Sequence, residues 1–116
     1  MNWHQLIEER SYEMHQVIAA VLSHDPSTLA RVVDWIEKCL SDPDYSIHSK
    51  DTLREWLKVI EERGVEGVIA VLEDRGEDAT RMRQSSPFAV LMPQEERMKI
   101  LQRYEALRTR THPAGV

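Results

Sequence analysis

Residues 2–26 read NWHQLIEERSYEMHQVIAAVLSHDP, and this stretch decides the fold. Trp3, Leu6, Ile7, Met14, Val17, Ile18, Val21 and Leu22 recur at the three- and four-residue spacing of an amphipathic helix. Asn2 with Gln5 three residues later has the form of a capping box, so the predicted helix starts near Asn2 and runs to Ser23 or His24. Asp25-Pro26 then opens a second helix, with the acid as cap and proline at the first helical position, where its missing N–H costs nothing.

Working outward, the same period continues. The second helix carries Leu29, Val32, Val33, Ile36 and Leu40 on one face and stops before Asp42-Pro43-Asp44, a turn-forming triplet. Pro43 to His48 reads as loop. Ser49 or Asp51 is the expected cap of a third helix holding Leu53, Trp56, Leu57 and Ile60, with Gly64 as its stop. Val65, Val68, Ile69 and Leu72 predict a short fourth helix ending by Gly76. Asp78 to Gln84 adds one or two turns, broken by Ser85-Ser86-Pro87. Pro93 begins the last helix, with Glu95 and Glu96 in the first turn, where the helix dipole favours acids. Met98, Leu101, Tyr104 and Leu107 are its expected inner face. Trp3, Trp35 and Trp56 read as core or core-edge, and Phe88 as the anchor of the preceding turn. The expected architecture is all-α: a single-domain bundle of five or six helices over residues 1–108, followed by a flexible tail at 109–116.

Composition agrees with this class. The 116 residues are 41% hydrophobic and 30% charged, a globular balance. No apolar run approaches the roughly 18 residues of a membrane helix, and no basic-then-apolar leader is present, so a cytoplasmic protein is expected. Cys39 is the single cysteine, which excludes an internal disulfide and a thiolate metal cluster. The four glycines are scattered, with no phosphate-cradling loop, and no cofactor or metal is expected. The net charge of −5 argues against general nucleic-acid binding. It is unevenly spread: residues 1–80 hold 8 basic and 17 acidic side chains, a net of −9, and residues 81–116 hold 7 and 3, a net of +4. Such a chain pairs with itself or shows a partner two different faces.

Two constellations carry chemistry. At about 100° per residue, Arg10 falls at roughly 280°, between Val17 at roughly 260° and Val21 at roughly 300°, inside the apolar arc of the first helix. A guanidinium there must snorkel, pair with a buried acid or face a partner. His4, Glu8, Ser11 and His15 share the adjoining polar edge, without the Glu-x-x-His spacing of a helical metal site. The second constellation is Arg81-Met82-Arg83-Gln84-Ser85-Ser86-Pro87-Phe88, in which two arginines, an amide and two hydroxyls converge on a proline-broken turn. Arginine's planar donors suit carboxylates and phosphates, and the serines suit capping.

Arg10 and His15 form Arg-x4-His, which resembles the signature of the small helical HEPN ribonucleases. That resemblance implies metal-independent RNA cleavage with Arg10 and His15 at the scissile phosphate, and a dimer that brings two motifs together. In that family the motif lies on a late helix, whereas here it lies on the first. Over Arg10 to about Leu101, the pattern Arg10-Ser11-x3-His15, the Trp56 helix, Arg83-Gln84-Ser85-Ser86-Pro87-Phe88-Ala89 and Glu96-Arg97 resembles a group of small bacterial helical proteins with no assigned enzymatic activity. Similar segments sit behind helix-turn-helix domains in antitoxin-like regulators. The present chain departs from these at Met92 to Arg97, where a more basic helix start is the pattern, and it carries no DNA-reading domain of its own.

The leading expectation is therefore a non-catalytic protein-binding module, the antitoxin or immunity partner of a bacterial toxin. Its acidic body would occlude a basic active-site groove, with or without homodimerisation. The partner-facing residues are expected to be Glu8, Arg10, Glu13, His15, Arg81, Arg83, Gln84, Ser85 and Ser86. The alternative is the HEPN-like ribonuclease using Arg10 and His15.

Overall fold

Asn2 caps the first helix through a complete box: its Oδ1 accepts from Gln5 N, and Gln5 Oε1 accepts from Asn2 N, both at 2.9 Å. The computed structural model describes residues 2–111. Five α-helices make up the fold: α1 (Trp3–His24), α2 (Leu29–Ser41), α3 (Ile47–Glu73), α4 (Glu77–Gln84) and α5 (Gln94–Thr111). Short 3₁₀ turns at Pro26–Thr28 and Phe88–Leu91 join α1 to α2 and α4 to α5. The described residues contain no strand, so the protein is an all-α bundle. α5 continues to Thr111, and the tail expected over 109–116 lies, from residue 112 on, outside the described residues.

The helix boundaries follow local chemistry. Asp25 caps the turn after α1, accepting from Ser27 N at 3.2 Å, but Pro26–Thr28 winds as 3₁₀ before α2 begins. α3 starts earlier than the expected Ser49 or Asp51. Ser46 is its cap, and Ile47, 75% exposed, gives no apolar signal of the first turn. Gly64 breaks α3 without ending it. Its φ of 64° and ψ of −158° belong to a region open essentially to glycine, and the helix resumes at once. Gly67, one turn on, is buried, and a Cβ there would collide with the Cβ of Arg63. The two glycines thus make the kink together, one by its backbone angle and one by its lack of side chain. A Cβ at Gly64 meets nothing within 4 Å, so Gly64→Ala tests backbone strain alone. We expect a loss of about 1–3 kcal/mol in urea unfolding, with the slope m unchanged.

α1 is the centre of the bundle, touching α3, α4, α5 and both 3₁₀ turns. The larger core holds Ile18, Leu22, Val32, Ile36, Leu53, Trp56, Leu72 and Phe88. A smaller core joins Leu6 of α1 to Ile100 and Tyr104 of α5, with Met14, Val17, Met92 and Leu107 around it. Phe88 is fully buried, as its position after the proline predicts. Trp56 is also fully buried, but Trp3 and Trp35 are 37% and 42% exposed. The buried stripe of α2 is Val32, Ile36 and Cys39, which leaves Trp35 one position to the side. Arg108 instead lies over the Trp3 ring, 5.1 Å from its centroid. On α5 the buried positions are Ile100 and Tyr104, and Met98, expected inside, is 43% exposed.

Candidate functional site

The last carbonyls of a helix have no partner within it. At the end of α3, the carbonyls of residues 71–74 are met by side chains from two other helices. Arg83 Nη1 donates to Val71 at 3.1 Å and to Asp74 at 2.5 Å, Gln16 Nε2 donates to Leu72 at 2.8 Å, and the Tyr12 hydroxyl donates to Glu73 at 2.9 Å. Arg83 Nη2 adds a bond to Thr80 Oγ1 at 3.2 Å. Arg83 is only 6% exposed. Burial pushes its guanidinium down from the ordinary arginine value, opposed by Tyr12 and Asp74, and it remains a cation. A buried cation at a helix carboxyl end also complements the dipole. The arginine read in the sequence as a recognition residue is thus held as a cap that ties α4 to α3.

Two guanidiniums lie over the Tyr12 ring, Arg75 at 3.8 Å and Arg83 at 5.1 Å from its centroid. Arg75 also pairs with Glu9 at 2.8 Å. Between α1 and α4 these residues line a cleft of about 460 Å³, whose walls include Glu8, Glu9, Tyr12, Arg75, Arg83 and Gln84. A second hollow of about 430 Å³ shares Glu8, Arg75, Thr80 and Gln84 with it and extends to Glu77 and Arg81. Arg81 pairs with Glu55 at 2.7 Å and Asp78 at 2.8 Å, which raises its pKa further. Every arginine lining this groove is therefore already engaged. Glu8 and Glu77 are exposed and make no hydrogen bond or ion pair among the described residues, so theirs are the carboxylates of the groove left for a partner.

The fold gathers only part of the expected set. Glu8, Arg81, Arg83 and Gln84 meet in the groove. Glu13 faces α5, where it pairs with Arg103 and accepts from the Tyr104 hydroxyl at 3.0 Å. Burial, then Glu13, pushes Tyr104 up to about 12. Arg10 is half-buried, lines neither hollow of the groove and makes no hydrogen bond or ion pair among the described residues, so the buried ion pair is not its resolution. Ser85 is half-buried, and its N–H closes α4 on the Met82 carbonyl at 3.3 Å. Ser86 Oγ accepts from Phe88 N at 3.1 Å and stabilises the turn. His15 is 7% exposed and lies with Ser86 on a different, smaller cavity. The charge split read from the sequence is partly closed by the fold, since Arg81 and Arg103 of the basic third pair with Glu55 and Glu13 of the acidic body. Tyr12, Gln16 and Arg75 went unread. The only sequence signal for them is that Tyr12 and Gln16 stand four residues apart, on one face of α1, each carrying a donor.

His15 Nδ1 lies 2.7 Å from the Ser11 carbonyl, so this nitrogen carries the proton. Burial lowers its pKa below 6.5; the bond to Ser11 opposes the shift, and the Arg83 charge adds to it. The unfolded chain therefore binds the proton first. Stability is complete above about pH 6.5 and is lost as pH falls through the folded value, at a limiting slope of about 1.4 kcal/mol per pH unit. Urea midpoints between pH 7.5 and 5.5 should fall in the native chain. His15→Asn, which keeps a donor near Ser11, should flatten that fall; an equal fall in both would remove His15 as its source.

Among the described residues no three His, Cys, Asp or Glu side chains gather to hold a metal, and no helix is long and apolar enough to cross a membrane. Comparison with protein-family models, curated proteins and solved structures finds no match for the chain.

Proposed function

We propose that the protein is a non-catalytic binding module for a protein partner with a basic surface, and in its specific form an antitoxin or immunity protein that covers a bacterial toxin's active site. The observation behind this reading is the groove between α1 and α4. Arg75 and Arg81 are paired with acids and Arg83 is spent on the carbonyls of α3, while Glu8 and Glu77 present free carboxylates beside the stacked Tyr12 and Arg75. A Lys- or Arg-bearing segment complements that surface, and complementary charge raises association rate more than affinity. The ribonuclease alternative gains no support from His15, which is buried with Nδ1 bound to the backbone. Arg10 does not line the cavity that His15 lines.

Coexpression with the product of the neighbouring gene is the test. The reading requires that this product be harmful alone, be silenced by the present chain and co-purify with it. Glu8→Lys with Glu77→Lys should slow association about tenfold or more at low salt, measured by surface plasmon resonance. A harmless product, or two proteins that elute separately, would overturn the antitoxin form. Incubation with RNA at high protein concentration decides the alternative, since cleavage lost in His15→Ala would establish a nuclease.

A further inference from the structure

One turn along α1 from Ser11, which lines the groove, His15 forms part of a second kind of site. With its proton on Nδ1, the neutral imidazole carries a bare lone pair on Nε2. That nitrogen is buried and has no hydrogen-bond partner among the described residues. Native structures rarely leave a buried acceptor unsatisfied, and one that persists is met by an ordered water or by a bound group. The imidazole lines a cavity of about 160 Å³, walled by Met14, Ile18, Ala89 and Met92, with Ser86 and Arg97 also contributing. His15 and Ile18 are its buried members and Arg97 and Ala89 its exposed ones, and Nε2 itself has no accessible surface, so it lies just behind the cavity's inner wall. Ser86 Oγ is already used by Phe88 N. Arg97 makes no ion pair among the described residues.

The lining therefore combines an imidazole on the buried side, its bare acceptor just behind the wall, a cation on the exposed side, the engaged Ser86 hydroxyl, and hydrocarbon and thioether walls. A cavity of roughly 150 Å³ takes a molecule the size of benzene. We infer that this cavity binds a small hydroxylated aromatic acid, its hydroxyl donating to His15 Nε2, its ring between Met14 and Met92, and its carboxylate on Arg97. Nε2 is sealed from solvent, and entry requires side-chain movement. The two methionine walls supply it, because an unbranched thioether changes rotamer at little cost. The site is separate from the partner groove and does not depend on the protein-binding reading.

Calorimetric titration of the native chain with 3- and 4-hydroxybenzoate, benzoate and phenol tests it. The better hydroxybenzoate should bind one to one. Benzoate, lacking the donor, should bind about tenfold or more weakly, as a site that leaves its buried acceptor unpaired predicts. Arg97→Gln should remove the advantage of hydroxybenzoate over phenol. His15→Asn, lacking Nε2, should remove its advantage over benzoate. In imidazole ¹⁵N spectra the His15 Nε2 resonance should move with hydroxybenzoate and stay with benzoate. Equal affinity for hydroxybenzoate and benzoate, or no saturable binding with an unmoved Nε2 resonance, overturns the inference and leaves Nε2 to a trapped water. The ligand series on the native chain decides this even where His15→Asn fails to fold.

Discussion

Trp56→Ala should cost about 3–5 kcal/mol, the range for removing a large aromatic from a packed core. Trp56 is fully buried, its ring meets Phe88 edge-to-face at 4.9 Å and 76°, and its Nε1 donates to the Met82 carbonyl at 3.1 Å. One side chain thus joins α3 to α4 by a hydrogen bond and to the following turn by ring packing. At roughly 0.05–0.15 kcal/mol per residue the whole domain holds about 6–17 kcal/mol, so the truncation removes a large share. Trp56→Phe separates the two contributions. It keeps most of the packing and loses the donor, and the Met82 carbonyl retains the longer bond from Ser85 N. We expect about 1–2 kcal/mol for that variant. Urea unfolding followed by circular dichroism measures both. A Trp56→Ala loss under 1 kcal/mol would contradict the core described here.

Arg83→Met should cost about 2–4 kcal/mol. The methionine keeps the stem and removes the donors to Val71, Asp74 and Thr80, leaving polar groups at a buried helix end with fewer partners. Arg83→Lys should recover only part, because one ammonium does not reproduce a planar fork that meets two carbonyls and a hydroxyl. Tyr12→Phe removes a neighbouring donor from the same set of carbonyls, so the double variant should depart from additivity. The measurement also separates two roles. A cap shows its loss in the free protein, whereas a residue held ready for a partner shows it only in the complex. If Arg83→Met unfolds at the native urea midpoint, Arg83 returns to the set of recognition residues.

The difference between Trp56 and Arg83 shows what was legible in the sequence. Helical period, the Asn2–Gln5 box, the Asp25 cap and the Gly64 break are local, and each was readable within a few residues of itself. Trp56 was readable because its stripe, with Leu53, Leu57 and Ile60, repeats at helical spacing. Arg83 sits in a polar string whose composition says surface, and only the approach of α3's end, 9 to 12 residues away in sequence, makes it a buried cap. Tyr12 and Gln16 find their carbonyls 61 and 56 residues away, a pairing no local pattern encodes. Trp35 erred the other way. Its size says interior, but its angular position on α2 places it beside the stripe, and geometry outweighed hydrophobicity. Arg10 stands out of place on the apolar arc, and of its three resolutions the structure removes the buried ion pair, since it is half-buried and makes no ion pair among the described residues.

The central position of α1 has a consequence for synthesis. This helix is made before the elements it packs against, and one of its partners, Tyr104, lies 91 residues after Glu13. At roughly 5–20 residues per second, translation takes about 5–18 s to cover that distance. Throughout that interval Leu6, Met14 and Val17 have no α5 to cover them. The nascent chain therefore presents an uncovered apolar flank for those seconds, until α5 has been made to close over it.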